Sequence, residues 1–250
     1  KKGRDTTINL DTGSEEYIEF WKPFLEDFSK HMSSRGLLEI TALAMDERPP
    51  EQMKSVISMV NEFAPEFEIS LATNKEFQTA EIYDLSYGIR FLPDSDVIQN
   101  RRELGLITTF YVACNPSYPN TYTFSPPAES SWLAWFAFAN KLDGFLRWAY
   151  NSWVEEPLID TRFRRGSGGE AFLVYPGAKS SIRFEMLRDG IEDYEKLNLI
   201  MNEPHDLPSK EFTGIKQELN FALKDLKVYP PVQKEIQSMI VNAKSLVNSY

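Results

Sequence analysis

The stretch "LLEITALAMDERPPEQMKSVISMVNEFAPEFEISLATN", residues 37–74, changes its apolar period twice. "LLEITALAM" (37–45) is a short apolar run of the length and composition of a strand buried on both faces. "EQMKSVISMVNEFA" (51–64) sets Met53, Val56, Ile57 and Val60 at helical spacing. Pro65 closes that helix, and "FEISLATN" (67–74) supplies a second strand. Two strands joined through a helix argue for a parallel pair, because parallel neighbours need a crossover of that length.

The same rhythm extends in both directions. Upstream, "TGSEEYIEFWKPFLEDFSKHMSSRG" (12–36) offers Thr12 or Ser14 as a cap and puts Glu15 and Glu16 in the first turn. Tyr17, Phe20, Phe24 and Phe28 form its predicted apolar face over residues 15–35, with Pro23 as a kink. Downstream, "IYDLSYGI" (82–89) reads as a strand and "DSDVIQNRRELG" (94–105) as a helix ended by Gly105. "LITTFYVACN" (106–115) is a strand, "AESSWLAWFAFANKLD" (128–143) a helix apolar on nearly every side, and "GFLRWAYNSW" (144–153) a fifth strand. "AFLVYPG" (171–177) reads as a further strand, "SSIRFEMLRDGIEDYEKLNLIMNE" (180–203) as a long helix, and two more helices are predicted near 209–226 and 231–248. The fold class is α/β, with a parallel sheet under covering helices.

Composition narrows the function. The 250 residues are 42% hydrophobic and 26% charged, which suits a globular protein with a sizeable core. A net charge of −10 disfavours nucleic acid and anionic lipid as partners and leaves neutral small molecules, sugars included, open. No apolar run has the length of a membrane span. With Cys114 as the one cysteine and only His31 and His205, no cysteine- or histidine-based metal site is expected, and no cofactor. Cys114 reads as a small buried apolar residue and both histidines as solvated. The opening residues contain neither an initiating Met nor an apolar signal core, so they read as the interior of a longer chain.

In parallel α/β folds ligands sit at the carboxyl ends of the strands. The predicted strand ends carry Asp46 and Glu47, then Asn74, Asn115, and Tyr150, Asn151 and Trp153: acids, amides and aromatics, a combination suited to a sugar's hydroxyls and C–H faces. Adjacent residues of a regular strand point to opposite sides, so Asp46 and Glu47 reach one ligand only if the strand ends or twists there. Pro49 and Pro50 supply such a break. The same acids are also placed to complement the positive end of the following helix. Trp148, Tyr150 and Trp153 have an alternative as packing residues, and Asn74 and Asn115 as turn formers. Arg183, near Glu185 and Glu192, reads as part of an ion-pair set on a helix surface.

The blocks "AMDERP" (44–49), "YPNTYTFSPPAE" (118–129), "GFLRWAYNSW" (144–153), "LVYPG" (173–177) and "SSIRFEMLRDGIEDYE" (180–195), in this order, resemble the catalytic region of glycoside hydrolase family 123, the β-N-acetylgalactosaminidases. The resemblance runs from about Leu10 to about Leu199 and implies a (β/α)8 TIM barrel behind an amino-terminal β-sandwich. If the Asp-Glu pair closes the fourth barrel strand, the chain holds about strands 4–8 of the barrel plus extra C-terminal helices. The domains are then a partial catalytic barrel at 1–203 and a helical extension at 204–250, the barrel being completed by upstream residues or another chain. The family's retaining, substrate-assisted mechanism places Asp46 on the 2-acetamido group and Glu47 as acid and base. By the same likeness Tyr118, Asn120, Trp148, Tyr150 and Trp153 line the sugar site, with Asn74 and Asn115 on hydroxyls. The implied partner is a glycan with terminal β-N-acetylgalactosamine, in a periplasmic or secreted bacterial setting. A β-N-acetylglucosaminidase with the same acids and a non-catalytic glycan-binding protein are the alternatives.

Overall fold

The computed structural model describes residues 7–75, 81–114, 117–162, 166–202, 209–229 and 231–248. Its centre is a five-stranded parallel sheet: β1 (Ala42–Asp46), β2 (Glu68–Thr73), β3 (Asp84–Gly88), β4 (Ile107–Tyr111) and β5 (Gly144–Leu146), adjacent in that order. Spatial order follows chain order throughout, so the sheet lacks the reversal that marks a doubly wound fold. The chain divides into two compact units, Lys1–Leu85 and Ser86–Tyr250, with β3 crossing the division.

In the first unit, helix α1 (Glu15–Ser34) begins where Ser14 Oγ accepts the N–H of Tyr17 at 3.2 Å, and Glu15 and Glu16 complement its first turn. Its packed stripe differs from the predicted one. Leu25 is buried, with Tyr17, Trp21, Phe28 and Met32 packed around it, whereas Phe20 and Phe24 are about half exposed. Steps of four, four, three and four along 17-21-25-28-32 keep one line of contact; Phe20 and Phe24 each stand one residue, about 100°, off that line. Helix α2 (Pro50–Phe63) starts with a proline in its first turn and buries Met53, Ile57, Met59 and Val60.

The first strand is shorter and more open than its sequence suggests. Leu38–Ile40 forms a 3-10 turn, and only Ala42–Asp46 is extended. Its residues alternate between exposed and half-buried, with none fully buried, as befits the first strand in the order. β1 pairs with β2 from Ala42 opposite Glu68 to Asp46 opposite Ala72. β2 buries Ile69, Leu71 and Thr73 on one face.

The second unit is built on α4 (Pro127–Ala139), in which every residue from Ala128 to Ala137 is buried, as its near-absence of polar positions predicts. Trp132 stacks on Phe136 at 4.7 Å, and Phe110 of β4 meets Phe136 edge-on. Around α4 lie α5 (Ile182–Asn202), α6 (Ser209–Lys227) and α7 (Ile236–Asn248), while α3 (Ser95–Glu103) contacts β4. Leu219, Leu223 and Leu226 of α6 and Ile236, Ile240, Ala243 and Val247 of α7 belong to the same core as Trp132 and Trp135. A buried polar knot ties three helices together: Asp193 of α5 accepts from Trp135 Nε1 at 3.0 Å and pairs with Lys244 of α7 at 2.7 Å.

Two expected strands contract. β5 is three residues long, and "AFLVYPG" forms no strand but isolated bridges, Asn151 with Phe172 and Tyr175 with Lys179. The cause is mutual: the Leu173 N–H donates to the Tyr150 carbonyl and the Ser152 N–H to that of Ala171, so the two segments satisfy one another above the sheet.

Candidate active site

The acid pair stands where β1 gives out. Asp46 is the last strand residue, and the Glu47 N–H still donates to the Ala72 carbonyl at 2.8 Å, so the backbone ladder runs one residue past the strand. Glu47 then turns, with φ 48° in the left-handed region that side chains other than glycine rarely enter. Such a conformation costs about 1–3 kcal/mol and recurs at functional sites. It is the break in strand alternation that the adjacent acids need. Both residues are exposed. Asp46 shares its strand face with Ala42 and Ala44 and stands opposite Ala72, so small side chains flank it. The N-cap of α2 is Pro49, and the acid in that helix's first turn is Glu51. Asn74 follows β2 directly and is half-buried, beside Thr73, whose hydroxyl bonds to the backbone of Lys75. A groove of about 500 Å³ between α1 and α2 is lined by Tyr17, Trp21, Leu43, Met45 and Arg48 but by neither acid. It therefore borders the carboxyl end of β1 through Met45 and Arg48, which flank the acids in sequence.

In the second unit three aromatic side chains follow β5 and stay open to solvent: Trp148 at 50%, Tyr150 at 47% and Trp153 at 43% exposure. Large aromatic surfaces are expensive to leave in water, so their grouping on one short segment makes it a candidate binding surface. They are also held firmly. The Trp153 indole N–H donates to the Val174 carbonyl at 2.8 Å, and Tyr150 packs edge-on against Phe184 at 5.9 Å. Tyr118 is half-buried. Asn120 is fully buried; its amide donates to the Ala113 carbonyl at 2.8 Å and its Oδ1 accepts the Thr121 N–H at 2.9 Å. Asn115 and His205 lie outside the described residues. His31 is exposed, as expected of a solvated histidine. Cys114, expected to be buried, is exposed, because β4 has ended at Tyr111 and the chain is leaving the sheet.

The residues that hold these loops were not legible as such. Arg183 is not in a surface ion-pair set: it is 3% exposed, and its Nη1 donates to the carbonyls of Thr121 at 2.7 Å and of Gly169 and Phe172 at 2.9 Å each. The surface set belongs to Arg188, which pairs with Glu185 and Glu192. Gly169, at φ 77°, leaves the room in which the guanidinium lies; a Cβ there would collide with it. Arg147 donates to the carbonyls of Gly169 and Glu170, and burial lowers its pKa to about 10. The glycine pair in "GSGGE" (166–170) was the available sign of close approach.

Among the described residues, no helix is long and apolar enough to cross a membrane and no group of three His, Cys, Asp or Glu is placed to hold a metal ion. No curated protein matches the chain significantly. Among solved structures, a family 123 glycoside hydrolase from Clostridium perfringens, described for its hydrolysis of glycolipid glycans, superposes with a TM-score of 0.80 at 26% identity. That similarity covers 97% of this chain and 46% of the other, so the chain spans less than half the length of the structure it matches. Residues 1–200 match the family model for the catalytic domain of glycoside hydrolase 123, a segment that includes the acid pair and the aromatic rim, and the chain therefore belongs to that family.

Proposed function

We propose that the chain carries the catalytic acids of a retaining exo-β-N-acetylgalactosaminidase that works through the substrate's own 2-acetamido group. The observation that carries this reading is the left-handed turn at Glu47, which ends β1 at two exposed adjacent acids inside the family-matched segment. In the first step the acetamido oxygen attacks C1 as the bond from C1 to the leaving oxygen breaks, and Glu47 gives that oxygen a proton. Asp46 accepts the acetamide N–H, orients its carbonyl and stabilises the positive oxazolinium ion. In the second step water attacks C1, Glu47 takes its proton, the ring opens, and configuration is retained. The attacking group is already bonded to the sugar, so the protein supplies no nucleophile.

Trp148, Tyr150, Trp153 and Tyr118 are assigned to the sugar's C–H faces, and Asn74 and Asn115 to its hydroxyls. Asn120, buried and engaged with backbone, is assigned instead to shaping its loop. The five strands are assigned to positions four to eight of a (β/α)8 barrel, a reading supported by their unreversed order and by the fraction of the Clostridium perfringens structure that the chain matches. Because that relative hydrolyses glycolipid glycans, such glycans are the natural substrates to try after simple aryl glycosides.

Aryl β-N-acetylgalactosaminide and aryl β-N-acetylglucosaminide, assayed side by side on the full-length protein, test the proposal. Preferential turnover of the first supports it, and preference for the second reassigns the sugar while keeping the chemistry. Binding of N-acetylgalactosamine without turnover of either glycoside would leave a glycan-binding protein.

A further inference from the structure

The segment joining α6 to α7 lies beyond residues 1–200, the part matched by the family model, yet Glu129 of α4 links it to the loop that carries Tyr118 and Asn120. Glu129, in the first turn of α4, is fully buried. Its Oε2 accepts the backbone N–H of Asn120 at 2.8 Å, and its Oε1 accepts from Gln233 Nε2 at 2.8 Å. Four residues before Gln233, Tyr229 meets Phe136 edge-on at 6.5 Å.

A carboxylate can only accept, and here two donors, one on the loop and one on the tail, meet its two oxygens. A buried carboxyl is costly unless such donors reach it. Burial pushes the Glu129 carboxyl up, against the pull of these hydrogen bonds. Asn120 passes the constraint on, its side chain clamping the Ala113 carbonyl and the Thr121 N–H, and Thr121 in turn gives its carbonyl to Arg183.

We infer that Glu129 and Gln233 are positioning residues, and that through them the α6–α7 connection holds the Tyr118–Asn120 loop in the shape that receives the sugar. Neither residue touches substrate; both act through the Asn120 backbone. The inference rests on the assignment of Tyr118 to the sugar site.

Donor and acceptor logic supplies the test. Gln233→Glu sets two acceptors against each other. Adding Glu129→Gln restores complementarity, because the new amide oxygen takes the Asn120 N–H while its NH2 donates to the new carboxylate. Gln233→Ala, which only removes a donor, guards against misfolding of the charged variant.

On the full-length protein, Gln233→Glu should raise KM for the aryl β-N-acetylgalactosaminide about tenfold, with kcat changed less than about threefold. Amide hydrogen exchange in residues 117–126 should quicken about tenfold or more. Gln233→Ala should move both readouts the same way by less, and the double variant should restore both. Unchanged KM and loop exchange in Gln233→Glu would overturn the inference, as would a fall in melting temperature alone that the double variant does not reverse. If the wild type hydrolyses neither sugar, the enzyme reading fails while loop exchange still decides the positioning role: acceleration confined to 117–126 supports it, and no change overturns it.

Discussion

Under the proposed mechanism Glu47 combines two demands that conflict at one residue: a backbone shape that favours glycine and a side chain that serves as acid and base. The left-handed φ of 48° predicts a stability order that has nothing to do with catalysis. Glu47→Gly should be more stable than Glu47→Ala by about 1 kcal/mol, since only glycine adopts that region without a Cβ penalty. Denaturant unfolding of the two variants checks it. In the proposed mechanism Asp46 acts only on the acetamide. Asp46→Asn should lower kcat by about 10²–10³-fold, the scale set by loss of one well-aimed electrostatic contact. Replacing the acetyl by a trifluoroacetyl group should slow the wild type as well, because a poorer internal nucleophile attacks C1 more slowly. Steady-state rates on the paired substrates read both effects.

At the scale of the elements, the loops above β4 and β5 depend on buried cations more than on strands. Arg183 satisfies three carbonyls from two segments, so Arg183→Met leaves those acceptors unpaired and should cost about 3–5 kcal/mol of unfolding free energy. Chemical denaturation measures it, and Arg183→Lys, which cannot fork to three acceptors, should recover only part. Midway along α5, burial works against the charge of Lys244, but hydrogen bonds to Asp189 and Asp193 prevail and leave its pKa raised. A group raised on folding lends stability that is fully present below its unfolded value, 10.5, and lost as pH rises through the higher folded value. The wild type should therefore lose stability in alkali more steeply than Lys244→Met, as melting temperature against pH would show.

The elements were legible where period and punctuation agree. α2 and β2 stand within a residue or two of their predicted limits because Pro50, Pro65 and a clear change of period bound them. Legibility failed where tertiary partners decide. Phe20 and Phe24 look like core by spacing, but the groove that α1 meets admits the neighbouring stripe of Trp21, Leu25 and Phe28. "AFLVYPG" has strand composition, yet its partner is the 150–152 backbone rather than the sheet. The acid pair and the aromatic rim were visible as residue types at strand ends. Arg183 and Glu129 were not, since nothing local distinguishes a buried charge from a surface one.

Over the whole molecule, the C-terminal helices are part of the core and not an appendage to it. α6 and α7 cover α4, a helix with no exposed face of its own between Ala128 and Ala137. Ending the chain near residue 203 would bare Trp132, Trp135 and Phe136 and the buried Asp193, whose partner Lys244 is lost. Such a truncation should not reach a cooperative native state, and loss of near-ultraviolet circular dichroism with exposed apolar surface would show it. The net charge of −10 suits a neutral glycan and offers no attraction to polyanions, so activity should respond weakly to salt.

The most direct measurement is the rate of aryl β-N-acetylgalactosaminide hydrolysis by the full-length protein and its Glu47→Gln variant, with the configuration of the first-formed sugar followed by proton NMR. The account predicts β-configured product from the wild type and a loss of at least about 10²–10⁴-fold in the variant, the contribution expected of a positioned acid and base. Unchanged turnover in Glu47→Gln, or α-configured product, would contradict it.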